Sequence, residues 1–268
     1  MVLDITNRCR MKCPHCFNEC VEDGEDMSLE TLDAIIRFIL ENNLQFRLVI
    51  ISGGEPTEHP SLFQMLDKLT KDLSFNASGE KILCMIASNG MFLNESETYN
   101  EKSIREYIDR LLNYEIMIQI TADPRFYKTG LNKNNLSYLQ NKGGRKVSIE
   151  KNLIILSEQG RALINPMPEN LPRRNSPFCF NVRSMVQRSK FDFQKVVDIL
   201  ENQMNKYCAV GFDMHGNIRI SESLTCPALC TIKDDMNMIN RLLVDFNCDG
   251  CVHMNRLPTE FKHVIGLL

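Results

Sequence analysis

Apolar runs and helical spacings alternate along the first half of the chain. Continuous apolar runs at 1–6, 46–52, 82–87 and 116–121 are typical of buried strands. Between them, apolar residues recur at helical spacing after Ser28, which can cap a helix, and again over 60–73 and 103–112. Strands that alternate with helices predict an α/β fold with a parallel sheet and right-handed crossovers. Ligands of such folds gather at the carboxyl ends of the strands.

Three cysteines follow the first predicted strand. Cys9, Cys13 and Cys16 have the spacing C-x3-C-x2-C. Three thiolates can hold three corners of a cubane iron–sulfur cluster, and the fourth iron then has no protein ligand. An open coordination position lets a substrate or cofactor bind to a metal. Taken alone, the same triplet could instead hold zinc, with Cys20 as the fourth ligand.

Two further motifs follow the next two predicted strands. Gly53-Gly54-Glu55-Pro56 comes after the second strand, and Ser88-Asn89-Gly90 comes after the third. In this arrangement the chain resembles the radical S-adenosylmethionine (radical SAM) enzymes, whose cysteine loop follows the first strand and whose GGEP follows the second. The resemblance favours the cluster over zinc. It also implies a partial (β/α)6 radical SAM barrel over about residues 1–165.

The same resemblance implies a site for S-adenosylmethionine, in which the GGEP end recognises the amino group and the third strand end touches the ribose or methionyl part. The matching positions are His15, Ser52, Gly53, Gly54, Glu55, Ser88, Asn89, Thr121 and Arg161. Glycines suit such a site because they tolerate positive φ and close approach of the backbone. His15 matches a position near the adenine. Arg161 is similar to an arginine that binds the methionyl carboxylate, although a surface arginine explains it equally well. Gln119 and Asp123 are further candidates.

A second cysteine group lies near the carboxyl end. Prolines between 166 and 177 indicate a connector over 166–205, followed by a small region over 206–268. Within it, alternating apolar residues around Gly216 predict a β-hairpin, and helical spacing follows over 234–246. The order of cysteine, hairpin, cysteine, helix and C-x2-C resembles the twitch domain, the short form of the SPASM extension.

That likeness implies an auxiliary [4Fe-4S] cluster. Its four ligands would be Cys208, Cys226, Cys248 and Cys251. A structural zinc on the same four thiolates is the alternative. Cys230 could replace Cys226 or be spare, and the sequence identifies no catalytic base.

Composition narrows the class of protein. The 268 residues include 24% charged residues and a net charge of −3, which is typical of a soluble globular protein and argues against a nucleic-acid partner. No apolar segment approaches the roughly 20 residues of a membrane span. Eleven cysteines, an odd number in metal-like groups, favour a reducing compartment over disulfides. We therefore expect a cytoplasmic protein without a membrane partner.

The resemblance implies an oxidoreductase or modifying enzyme that reductively cleaves S-adenosylmethionine to a 5′-deoxyadenosyl radical, which then abstracts a hydrogen atom. A reducing donor such as flavodoxin or ferredoxin would be its partner. The substrate could be a small molecule, as in twitch-bearing aminocyclitol dehydrogenases, or a peptide, although we expect no leader-binding domain before Cys9. The alternatives are a nucleotide or nucleic acid, or a non-catalytic protein stabilised by zinc or a cluster.

Overall fold

The fold is built on one mixed sheet with helices between its parallel strands. The computed structural model describes residues 1–95, 98–99, 102–125, 130–151, 156–157, 161, 165, 173–174, 185–202, 209–221 and 223–246. The strands are β1 (Val2–Thr6), β2 (Leu48–Gly53), β3 (Leu83–Ser88), β4 (Thr98–Tyr99), β5 (Lys102–Ser103), β6 (Ile116–Thr121), β7 (Val147–Glu150), β8 (Leu156–Ser157), β9 (Arg173–Arg174), β10 (Val210–Phe212), β11 (Asn217–Ile220) and β12 (Cys230–Thr231). The α-helices are α1 (Leu29–Glu41), α2 (Leu62–Asp72), α3 (Ile104–Leu112), α4 (Lys133–Gly143), α5 (Phe193–Asn202) and α6 (Met236–Val244).

Eight strands form the main sheet, in the order β12-β11-β10-β1-β2-β3-β6-β7. Neighbouring strands from β10 to β7 run parallel, whereas β11 and β12 are antiparallel additions at one side. This confirms the predicted α/β class. The predicted hairpin forms around Gly216, whose φ is +78°, and β10 pairs directly with β1. The hairpin therefore extends the main sheet. The predicted limits of the regions, near 165 and 206, stay predictions.

One face of the sheet is buried in the hydrophobic core, and the other face is more exposed. Along β6, Ile116, Ile118 and Ile120 are buried in the core, while the alternate residues Met117, Gln119 and Thr121 are only half-buried. Strand pairing places Asp4 opposite Ser52, Ala87 opposite Gln119, and Thr121 opposite Glu150. We call this second side of the sheet the open face.

The helices follow the amphipathic pattern that predicts them. Ser28 caps α1 by accepting a hydrogen bond from Thr31 N–H at 3.1 Å. Leu32, Ile35 and Ile39 of α1 are buried. Besides the two-residue strands, α4 and β7 were not predicted, because α4 buries only Leu139 and β7 has just four residues. The apolar pair at 163–164 predicts a further short strand, and it lies outside the described residues.

No helix within the described ranges is both long enough and apolar enough to cross a lipid bilayer.

Candidate cluster and cofactor site

The loop that carries the three cysteines, residues 7–27, lies at the carboxyl edge of the sheet between β1 and α1. We call it the cluster loop. Its two ends run side by side, because Cys9 N–H donates to Val21 O at 2.7 Å. Met27 N–H then donates to Ile5 O at 2.7 Å and returns the chain to the sheet. The loop closes on itself and is anchored to β1.

The three thiols share poorly solvated surroundings. Burial raises the pKa of Cys9 to about 12 and that of Cys13 to about 11. Cys16 differs, because a hydrogen bond from the Cys20 thiol lowers its pKa to about 5. The charge of Cys13 also raises the pKa of Cys9, and the charge of Cys16 raises that of Cys13. The sulfurs therefore lie close enough for thiolates to repel one another.

This donor set fits an iron–sulfur cluster. Cysteine thiolate is the ordinary protein ligand of cluster iron, and a coordinating thiol is deprotonated outright. Iron would offset both the burial of the thiolates and their repulsion. In the part of the chain that the structure describes, no three His, Cys, Asp or Glu side chains are grouped as ligands of one metal ion. A cubane cluster does not need such a group, because each of its thiolate ligands binds a different iron. Cys9, Cys13 and Cys16 are the residues that would hold the cluster.

Gly53 and Gly54 let the end of β2 pack directly against the end of β1 and the start of the cluster loop. Gly53 has a φ of +110°, and an added Cβ would lie 2.1 Å from Thr6 O. A Cβ on Gly54 would lie 2.0 Å from Arg8 O. Gly54 N–H donates to Thr6 O at 2.6 Å. The observed close approach is to protein backbone, and the predicted contact of these glycines and Ser52 with a cofactor stays a prediction.

The Glu55 carboxylate joins the ends of β2 and β3. It is buried and accepts hydrogen bonds from the Thr57 backbone and hydroxyl, from Ser88 Oγ at 2.8 Å and from Asn89 N–H at 2.7 Å. Burial raises the pKa of Glu55, and these donors act in the opposite direction. Asn89 also places its amide nitrogen 3.6 Å from Cys9 Sγ. The GGEP and Ser88-Asn89-Gly90 motifs are therefore hydrogen-bonded to each other, and Asn89 contacts the first cysteine.

Arg161 holds the cluster loop at three backbone carbonyls. Its N–H donates to Cys16 O at 2.9 Å, its Nε to Cys13 O at 2.9 Å, and its Nη1 to Cys20 O at 2.8 Å. These bonds fix the backbone around two of the three cysteines. The predicted contact of Arg161 with a methionyl carboxylate stays a prediction.

His15 lies on the tip of the cluster loop and is half-buried. Burial lowers its pKa to about 4, so the ring is neutral near pH 7. Asp123, just past β6, is fully buried and forms an ion pair with Arg125. A neutral ring suits an apolar or stacking contact, and the predicted place of His15 near an adenine stays a prediction.

The open face carries two acidic residues that the sequence did not single out, Asp4 and Glu150, beside the predicted candidates Gln119 and Thr121. Gln119 Nε2 donates to Glu150 Oε2 at 3.2 Å, beside Thr121 at the end of β6. Asp4 is only 2% exposed and lies opposite Ser52. A carboxylate inside an apolar strand was a visible signal for Asp4. Glu150 gave no such signal, because its strand was not recognised.

One of the four predicted auxiliary ligands lies within the described residues. Outside them lie Cys208, Cys248 and Cys251. Cys226 is half-buried, and its carbonyl accepts a hydrogen bond from Arg219 Nε at 2.9 Å. Cys230 lies on β12 and belongs to the hydrophobic core, where burial raises its pKa to about 12. Its position in the core favours Cys226 as the accessible thiol of the two.

The sheet, the cluster loop and the motifs at the strand ends define a radical SAM protein. The Radical SAM superfamily model matches residues 3–156, more than half of the 268-residue chain. The chain belongs to this superfamily, which implies a [4Fe-4S] cluster and S-adenosylmethionine as cofactors.

Known proteins resemble this chain in sequence or in fold. Over 194 residues the chain is 27% identical to a probable GTP 3′,8-cyclase of Methanococcus maripaludis, covering 70% of this chain and 57% of the relative. It spans between 20% and 57% of the length of three curated relatives that it matches. A crystal structure of BtrN in complex with AdoMet and 2-DOIA aligns with a TM-score of 0.56 and 13% identity, over 91% of this chain and 83% of that one. Native anSMEcpe with bound AdoMet and a Cp18Cys peptide aligns with a TM-score of 0.53 and 13% identity, over 93% and 80%. At these identities the two structures show the fold alone.

Proposed function

We propose that this chain holds a [4Fe-4S] cluster on Cys9, Cys13 and Cys16, binds S-adenosylmethionine beside it, and removes a hydrogen atom from a substrate on the open face. One observation carries the proposal: the cluster loop lies at the carboxyl edge of the sheet, and Asn89 joins its Cys9 thiol to the ends of β2 and β3. When bound, the cluster and S-adenosylmethionine supply one-electron chemistry that yields a 5′-deoxyadenosyl radical.

The chain's own residues contribute order and exclusion of water. Arg161 and the backbone bonds of the cluster loop hold the cysteines in place before any ligand binds. Cys9 is 8% exposed, so its sulfur is shielded from solvent. Glu55 fixes Asn89 by a buried hydrogen bond, and Asn89 faces the Cys9 sulfur. Such preorganisation lowers the cost of ordering the site on binding.

We favour oxidation or another modification of a small molecule or peptide. Gln119 and Glu150 offer hydrogen-bond groups on the open face, which suits a substrate with hydroxyl or amino groups. A nucleotide is the second candidate, and the match to a probable GTP 3′,8-cyclase supports it. A reducing protein such as flavodoxin or ferredoxin would supply the electron in either case.

We also propose an auxiliary [4Fe-4S] cluster on Cys208, Cys226, Cys248 and Cys251, in a twitch-like region. The placement of Cys226 at a half-buried turn, and of Cys230 in the core, supports this choice of ligands. A four-thiolate zinc site is the alternative, and metal analysis distinguishes the two.

Anaerobic reconstitution followed by iron, sulfide and zinc analysis tests both sites. A variant with Cys9, Cys13 and Cys16 all changed to alanine should lose about four irons per chain and the release of 5′-deoxyadenosine under reductant. Cys84→Ala is the matched control, because Cys84 lies at the opposite end of β3 from the site and packs against the core. Equal iron content in the triple variant and the wild type would overturn the proposal.

Deuterium transfer then assigns the substrate. Incubation with deuterated peptides, aminocyclitols or nucleoside triphosphates should label 5′-deoxyadenosine with one class only. Label from a nucleotide alone would favour the second candidate.

A further inference from the structure

Asn18 joins three separate parts of the chain through one side chain. It lies on the cluster loop between Cys16 and Cys20 and is only 6% exposed. Its Nδ2 donates to Gly53 O at 3.0 Å, at the GGEP end of β2. Its Oδ1 accepts a hydrogen bond from Leu224 N–H at 2.9 Å, 206 residues further along the chain. The donor and the acceptor of the Asn18 side chain therefore both have hydrogen-bond partners, and the two partners lie in different segments of the chain.

The segment around Leu224 is itself tightly bonded. We call residues 221 and 223–226 the clamp. Ser223 is 1% exposed, and its Oγ donates to Phe17 O at 2.9 Å. The same hydroxyl accepts from Thr225 N–H at 3.2 Å, and Cys226 N–H donates to Ser223 O at 3.2 Å. The clamp is therefore a hydrogen-bonded turn that binds two consecutive residues of the cluster loop, Phe17 and Asn18.

We propose that Asn18 and Ser223 are positioning residues for the cluster loop. Through these two side chains the clamp, which lies between β11 and β12, keeps the backbone of residues 13–20 ordered. The inference rests on the proposed cluster on Cys9, Cys13 and Cys16, and it does not depend on a metal at Cys226.

The physical reason is the geometry of the loop. Arg161 holds the carbonyls of Cys13, Cys16 and Cys20 from one side. Between Cys16 and Cys20, Phe17 and Asn18 have their bonds to the clamp and to β2. Without these bonds the stretch keeps Arg161, the bond of Asn165 Nδ2 to Pro14 O at 3.0 Å and that of Cys20 Sγ to Gly53 O at 3.3 Å. Between the two cysteines only the longer bond of Thr225 Oγ1 to Phe17 O, at 3.4 Å, would then tie the described part of the loop to the clamp. Partners outside the ligand shell orient metal ligands, and losing one typically costs 10- to 100-fold in metal affinity.

The test compares four variants of the reconstituted protein. Asn18→Leu keeps the approximate size and removes both bonds. Asn18→Asp keeps an acceptor for Leu224 N–H but loses the donor to Gly53 O. Ser223→Ala removes the bond of Ser223 Oγ to Phe17 O and its bonds to the Thr225 hydroxyl and N–H. It leaves the bond of Thr225 Oγ1 to Phe17 O at 3.4 Å, so its effect should be smaller. Asn135→Leu is the matched control, since Asn135 Nδ2 donates one bond to Leu93 O at 2.8 Å, away from the loop.

Two readouts other than activity are measured: the rate of iron loss to a chelator, and hydrogen exchange of peptides covering 13–20 and 223–226. Asn18→Leu should speed iron loss at least tenfold and raise exchange in both peptides. Asn18→Asp should raise exchange in 13–20 while the amide of Leu224 stays protected. Ser223→Ala should raise exchange in 13–20 by a smaller factor. Asn135→Leu should match the wild type.

The proposal is overturned if Asn18→Leu and Asn135→Leu give the same iron loss and the same exchange. It is also overturned if exchange rises uniformly over the chain, because that would be a general loss of stability. If Asn18→Leu does not fold, Ser223→Ala decides by the same criteria. If the wild type binds no iron on the cysteine triplet, the proposed function fails, whereas the exchange of 13–20 and 223–226 still decides whether the clamp orders the loop.

Discussion

Replacing Gly54 by alanine tests close backbone packing at the site by itself, because the same change at Gly53 would add the strain of a φ of +110°. The new Cβ would lie 2.0 Å from Arg8 O and 2.7 Å from Arg8 C, distances that real Cβ atoms essentially never show. The contacted atoms are backbone, so they cannot rotate away. The end of β2 and the cluster loop must separate, which breaks the bonds from Gly54 N–H to Thr6 O at 2.6 Å and from Glu55 N–H to Arg8 O at 2.8 Å.

The magnitude follows from two contributions. Each lost hydrogen bond costs about 0.5–1.5 kcal/mol, and overpacking costs about 1–3 kcal/mol. The sum is roughly 2–6 kcal/mol, which is a large part of the 5–15 kcal/mol typical of a folded domain. For a chain of this size, about 2 kcal/mol lowers Tm by at least about 4 °C. Iron per chain should fall as well, because the cluster loop loses its support on β2.

The assay is thermal unfolding, monitored by circular dichroism under anaerobic conditions. Two other glycines serve as controls. Gly79 has a φ of +79° with nothing within 4 Å, so Gly79→Ala has only the backbone strain of about 1–2 kcal/mol. At Gly143 the Cβ would lie 2.3 Å from Val147 Cγ2, so the clash there is with a side chain and not with backbone. If Gly54→Ala lowers Tm no more than these two changes, rigid backbone contact is not what requires the glycine.

Three other predictions concern charge and metal. Burial alone would raise the pKa of Asp213, but hydrogen bonds from its neighbours, Arg219 among them, hold that pKa below the ordinary value of 3.8. Asp213→Asn should therefore lower the free energy of unfolding by about 3 kcal/mol above roughly pH 4. The two Tm curves should converge as the pH falls below that value, and a difference independent of pH would contradict the assignment. Cys226→Ser should remove the auxiliary metal while Cys230→Ser keeps it and lowers Tm, as metal analysis and thermal unfolding would show; the reverse pattern would exchange their roles. Arg161→Lys should lose iron to a chelator about tenfold faster, because one ammonium cannot replace the fork of donors, and unchanged kinetics would refute this.

The strands and helices that bury an apolar side were readable from the sequence. β6 begins at Ile116 and ends at Thr121, as the apolar run predicted, and α3 ends at Leu112 as expected. Periodicity is a direct consequence of burial, so it is strong wherever one side of an element meets the core. α4 and β7 bury too little to leave such a pattern, and Leu139 alone cannot define a helix.

The site divides in the same way. Cysteine spacing and GGEP identified the loop and the strand end, because their chemistry depends on residue type. The supporting hydrogen bonds of Asn18 and Ser223 were not predictable, since they join residues 206 or so positions apart through one ordinary amide and one hydroxyl. The position of β10 beside β1 was missed for the same reason, because local pattern contains no information about which distant strand is the neighbour.

That neighbour has a consequence for how the chain is made. Val2 pairs with Gly211, so one side of β1 stays without its partner until roughly 200 more residues have been synthesised. At ordinary elongation rates the wait is roughly 10–40 s, during which β1 presents unpaired backbone groups, a template for aggregation. A nascent chain arrested near residue 205 should therefore bind chaperones more strongly than one arrested after the hairpin.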